Sequence, residues 1–223
     1  MKSVSGRFTR PCSALLLCGA LLLVSCVARA DAAPDASLDA IDALRHAWAK
    51  ACYQLPEPQR TAALDALSVQ AHQVALAYPG RVEPMVWEAI ILSSQARYTG
   101  GLAGLRMAKQ AHALLQIAEK QQPDALNGSI YILLGSLYFK VPGWPMGFGD
   151  QKKARAYLEK ALKLNPDSID ANYFYGEFLL EQGEHAKAIV YLQKALHAPP
   201  RPGREDADQG RRGEVLQLLE KAK

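Results

Sequence analysis

IDANYFYGEFLLEQGEHAKAIVYLQKALHAPPRP, residues 169–202, decides the fold. Apolar residues recur at steps of three and four on both sides of Gly183, which predicts two helices, near 168–182 and 185–198. Gly176 and Ala188 are small, as they must be where two antiparallel helices cross closely. Gly183 permits the tight turn between them. Tyr175, Leu179 and Leu192 fill the seam, Ala195 leaves room for the next helix, and Pro200 prevents continuation. The unit is 34 residues long, a length that calls for a repeat search.

That search finds the pattern again upstream. Over 128–168, Tyr131, Leu134-Gly135 and Tyr138 match the first helix, and Ala154, Leu158, Ala161 and Pro166 match the second. Seven extra residues fall in the turn KVPGWPMGFGD, 140–150. A weaker unit carries Trp87, Ile90, Ala111, Leu115, Ala118 and Pro123, with its extra length expected in an enlarged turn around YTGGLAG, 98–104. Residues 38–79 form a further helix pair of suitable length. The predicted helices lie near 37–53, 57–78, 83–98, 102–121, 124–140, 149–164, 168–182, 185–198 and 207–222. Pro56, Pro58, Pro79, Pro84, Pro123, Pro166, Pro199 and Pro200 fall between them or at their edges. These units resemble the tetratricopeptide repeat, most closely over 128–202. The resemblance implies an all-α array of antiparallel helix pairs in a right-handed superhelix, spanning 38–198. A linker over 199–206 then leads to a capping helix over 207–223, with Val215, Leu216 and Leu219 on one face to cover the last repeat.

The chain has 223 residues, 49% hydrophobic and 22% charged, which excludes a mostly disordered polymer. Its net charge of +4 is uneven. Lys2, Arg7 and Arg10 stand in residues 1–26 without an acid, leaving 23 basic against 22 acidic residues beyond them. The basic excess belongs to the leader and gives no argument for a nucleic-acid partner. A basic start and the short apolar run SALLLCGALLLV, 13–24, read as an export signal over 1–30. Two exits compete: Leu23-Val24-Ser25-Cys26, a lipobox-like sequence that makes Cys26 a lipidation candidate, and Ala28-Arg29-Ala30, an ordinary cleavage site. A polar linker follows at 31–37. Of the four cysteines, Cys12, Cys18 and Cys26 belong to the leader region. Cys52 is left without a disulfide partner.

No residues gather into a site of chemistry. His46, His72, His112, His185 and His197 are scattered and match no metal-ligand spacing. The glycines around Leu102 lack the spacing of a phosphate-binding loop. No catalytic residue, cofactor or metal is expected, and an envelope hydrolase is the least favoured reading. Two features point to binding instead. The 141–149 turn carries Trp144, Met146 and Phe148, three large apolar groups in a segment too rich in Pro and Gly for a helix. Trp144 is expected partly buried at the loop base, with Phe148 or Met146 facing the groove mouth. The second feature is the concave face that the repeat resemblance implies. Its positions are Glu88, Leu92 and Gln95 in the weak unit, Ile132, Ser136 and Phe139 in the inserted unit, and Tyr173, Glu177 and Leu180 in the last.

An exported helical-repeat protein with long intra-repeat turns also resembles the T component of tripartite TRAP-type transporters. That resemblance implies a periplasmic accessory to a transporter or solute-binding system, lipid-anchored if the lipobox-like exit is the one used. Its partner would be a protein, a peptide or a small amphipathic ligand, with membrane contact only through the leader or its lipid. Oligomers remain compatible with the sequence. The competing expectation is a scaffold for envelope or secretion assemblies. An enclosed cavity favours the first, and a smooth groove the second.

Overall fold

The computed structural model describes residues 35–223; residues 1–30, expected to be an export signal and including Cys26, and residues 31–34 of the expected linker lie outside the described residues. Among the described residues there are nine α-helices, one 3-10 turn and no strand. The helices are α1 (Ala36–Tyr53), α2 (Gln59–Ala77), α3 (Val82–Thr99), α4 (Gly101–Gln121), α5 (Ser129–Lys140), α6 (Gln151–Leu164), α7 (Ile169–Glu181), α8 (His185–Leu196) and α9 (Glu205–Lys221). Side-chain caps place several starts. Asp150 accepts from the Lys152 and Lys153 backbone N–H groups at 3.0 Å each, and Ser168 Oγ from Ala171 N–H at 3.2 Å. Asp35 accepts from Ser37 N–H at 3.1 Å and starts α1 at Ala36, inside the segment expected to be linker.

Four consecutive helix pairs, α1–α2 through α7–α8, build the array, which is a tetratricopeptide-repeat fold. The second helices of three pairs bury the same Ala-x3-Leu-x2-Ala triplet: Ala111, Leu115 and Ala118 on α4, Ala154, Leu158 and Ala161 on α6, Ala188, Leu192 and Ala195 on α8. Two of the first helices, α5 and α7, answer with glycine. A Cβ on Gly135 would lie 2.7 Å from Leu158 Cγ, and one on Gly176 2.8 Å from Leu192 Cγ. Glycine there lets the leucine of the partner helix seat against the backbone, which is how a short repeat reaches interior packing density.

The α3–α4 pair departs from expectation. Its surplus length does not enlarge the turn around 98–104. The chain reverses at Gly100, with φ +65°, and the surplus lies in the helices, 18 and 21 residues long. In the α5–α6 pair the surplus does form a loop, between Lys140 and Asp150.

The last helix does more than cap the final repeat. Val215 packs with Leu192 and Ala195 of α8, while Ala207 joins Ile41, Leu44 and Trp48 of α1. A Cβ on Gly210 would run into the Tyr53 ring, so α9 lies hard against α1. The array therefore closes on itself, end to beginning.

Candidate functional site: the concave cavity

The concave side holds a half-open cavity of about 1180 Å³, lined from α1, α3, α4, α5, α7, α9 and the turn before α9. It exceeds the roughly 300–1,000 Å³ usual for small-molecule sites. Its walls are mainly apolar, with Trp48, Trp87, Ile90, Leu105, Leu137 and Phe174 prominent. Trp48 and Trp87 meet edge to face, ring centroids 6.0 Å apart. The hydroxyls of the α3 wall are turned to their own helix: Ser93 Oγ donates to Ala89 O at 2.7 Å and Ser94 Oγ to Ile90 O at 3.0 Å. Ser94 Oγ also accepts from Trp48 Nε1 at 2.8 Å. Cys52 reaches the cavity as a thiol, which burial pushes up to about 11, so it is not a ready nucleophile.

One end of the cavity is ionic. Asp170, at the start of α7, accepts from Arg201 Nη1 at 2.7 Å and from Arg211 Nε at 2.8 Å. Arg201 also holds the buried Asp208, and Arg211 holds Glu214, which pairs with Arg97 of α3. Burial by itself would raise the Asp170 carboxyl, but Arg211, Arg201 and Arg204 outweigh it and hold it well below the usual carboxylate range. At the other end, Lys140 pairs with Glu177 and Glu181.

Of the residues singled out from sequence, Ile132, Ser136, Glu177 and Met146 line the cavity. The others do not. Phe139 is buried against Phe178, between α5 and α7. Tyr173 is buried behind its neighbour Phe174, which does face the cavity, and Leu180 packs between core clusters. Glu88 and Gln95 face α2 instead, through His72 Nδ1 at 2.9 Å and Asp65 Oδ1 at 2.5 Å. Leu92 packs on the main core. In α3 the lining residues Trp87, Ile90, Ser93 and Ser94 stand a position or two from those carried over, and in α7 Phe174 lines the cavity in place of Tyr173 while Glu177 keeps its place.

The loop departs from expectation at Trp144. Trp144 is 90% exposed, not buried at the loop base. Phe148 turns inward, stacking on His112 at 4.2 Å and edge-on to Tyr138 at 5.8 Å. Met146 and Leu102 are mostly exposed yet line the cavity, which puts both at its mouth. Sequence reasoning missed Trp48, Arg45, Arg204 and the α9 network. For Arg204 and the α9 network the signal was the mixture of Arg and Asp through 201–212, which reads locally as a polar linker leading into the cap.

Among the described residues no cluster of three His, Cys, Asp or Glu side chains could hold a metal ion. None of the described helices is long and apolar enough to cross a membrane. Residues 146–204 match the tetratricopeptide-repeat family model. A thermophilic tetratricopeptide-repeat protein of Thermus thermophilus is similar in structure, with 19% identity over 70% of this chain and 73% of that one and a TM-score of 0.53. MamA of Desulfovibrio magneticus matches at 17% identity over 82% of this chain and 97% of its own, with a TM-score of 0.43. The Thermus likeness is one of fold alone. No curated protein matches the sequence.

Proposed function

We propose that this tetratricopeptide-repeat chain is a non-catalytic interaction module that captures an elongated, mainly apolar ligand in its concavity. The repeat fold is that of protein-interaction modules. One observation carries the rest: with α9 returned onto α1, the concave side forms a deep, mainly apolar cavity of about 1180 Å³ with a mouth, where a smooth groove would suit an assembly scaffold. The exposed Trp144 beside the mouth residue Met146 supplies a surface on which a partner protein docks while ligand passes. The leader adds a place of action. The chain is exported to the bacterial envelope, held there by lipid on Cys26, and serves a transporter or solute-binding system.

The test is binding of N-phenyl-1-naphthylamine, a neutral apolar fluorophore. The wild-type chain should enhance its fluorescence saturably. Ser136→Trp, which fills the cavity from a half-buried wall position, should abolish the enhancement and keep the helical circular dichroism. Equal enhancement by both proteins overturns the reading.

A further inference from the structure

At the ionic end of the cavity four guanidinium groups, Arg97, Arg201, Arg204 and Arg211, meet three carboxylates, Asp170, Asp208 and Glu214. All three carboxylates are engaged by Arg97, Arg201 and Arg211. Arg204 is left over: it makes no ion pair among the described residues, and its buried Nε has no hydrogen-bond partner there. Its guanidinium lies over the Trp87 ring, 5.6 Å from the centroid, and lines the cavity. Burial lowers it from its ordinary value; Asp170 and Asp208 oppose the shift, but with Arg201 and Arg45 adding to burial they do not offset it. Arginine stays protonated even so.

Arg45 of α1 is the second half of the feature. It lines the same cavity, its Nη2 lies 3.4 Å from where a Cβ on Gly203 would stand, and its Nε is likewise buried without a partner. Its one carboxylate, Asp42 at 2.9 Å, is more than half exposed, so that pair is weakly held. Two guanidinium groups, each with a buried Nε that lacks a partner, thus line the same cavity, one from α1 and one from the turn before α9. A buried donor left unmade is costly, and a charged one more so.

We propose that Arg204 and Arg45 form an anion subsite, and that the ligand of the cavity is a single-chain amphiphile whose carboxylate or phosphate head they hold. This rests on the reading of the cavity as a ligand site. An alkyl chain suits the walls better than a peptide does. The α3 hydroxyls are spent on their own helix, so an extended backbone would bury N–H and C=O groups with few partners. The anionic head supplies what Arg204 lacks, through charge-assisted hydrogen bonds.

The experiment is displacement of bound N-phenyl-1-naphthylamine by dodecanoate, dodecyl phosphate, dodecanol and acetate. Dodecanoate or dodecyl phosphate should displace it about tenfold more effectively than dodecanol, as expected for a hydrogen bond to a charged group. The stronger of the two identifies the head group. Acetate should not compete. Arg204→Gln should erase the preference for the anion and leave dodecanol binding unchanged, and Arg45→Gln, on a different helix, should weaken the preference independently of how Arg204→Gln folds. Equal displacement by dodecanoate, dodecyl phosphate and dodecanol, or no displacement by either anionic chain of a fluorophore that does bind, overturns the subsite and leaves the cavity reading standing. Acetate competing as well as dodecanoate overturns the amphiphile. A fluorophore that never binds, with no chain binding either, overturns both readings.

Discussion

A methyl group at Gly210 would sit inside the Tyr53 ring, while one at Gly213, three residues on along α9, would meet nothing within 4 Å. The two glycines separate contact from propensity. Gly210→Ala should destabilise the chain by about 1–3 kcal/mol, the usual cost of overpacking. Gly213→Ala should stabilise it by about 0.5–1 kcal/mol, because alanine loses less backbone freedom in a helix. Thermal melts of the two variants check both signs. The loop offers a second pair. Trp144→Ala should leave the melting temperature within error, since the ring is 90% exposed. Phe148→Ala should cost about 1–3 kcal/mol, less than the 3–5 of a fully enclosed ring. Equal shifts for the two would mean that the loop is packed the other way round. The sequence could show that these rings need cover. It could not show which one, because the choice depends on where His112, 36 residues upstream of Phe148, comes to lie.

At the scale of elements, that histidine ties the loop to its neighbour. His112 Nε2 lies 3.0 Å from the Tyr138 hydroxyl while the ring stacks on Phe148. Burial, helped by Lys153, lowers its pKa. A histidine whose folded value is lowered binds its proton more readily when unfolded. Its packing is therefore fully stabilising above the unfolded value of about 6.5 and weakens as pH falls below it. Between pH 7.5 and 5.5 the wild-type melting temperature should drop more than that of His112→Phe, as calorimetry at the two pH values will show. Most carboxylates titrate lower and stay out of this window. The helices themselves were legible almost throughout, since three- and four-residue periodicity and proline stops are local signals. What α9 does was not. Its mixed charges looked solvated along the chain, and only the approach of Asp170 from α7 makes Arg201 and Arg211 structural.

For the whole molecule, the closure of α9 on α1 decides whether there is a cavity at all. A chain ending at Ala198 retains α1 to α8 and the triplets that pair them. It should stay largely helical by circular dichroism, melt at lower temperature and lose fluorophore binding. Undiminished binding by the shortened chain would mean that α9 is an ornament. Placement in the cell belongs to this scale as well. Cys26→Ala should turn a membrane-associated protein into one released with the soluble envelope fraction. Mass spectrometry finding an unmodified wild-type N-terminus at Asp31 would remove the lipid anchor from the account.

The contact between α1 and α9 has a kinetic and a historical consequence. An open solenoid folds by nearest-neighbour steps and tolerates the gain or loss of a repeat. Here the Tyr53 hydroxyl meets Glu214 at 3.4 Å across 161 residues of chain. Contacts of such long sequence separation slow folding, because the ends must find each other before their pairing stabilises anything. They also forbid duplication. One more helix pair between α1 and α9 would part Gly210 from Tyr53, so a lineage that keeps this closure is held to four pairs and must vary by its loops.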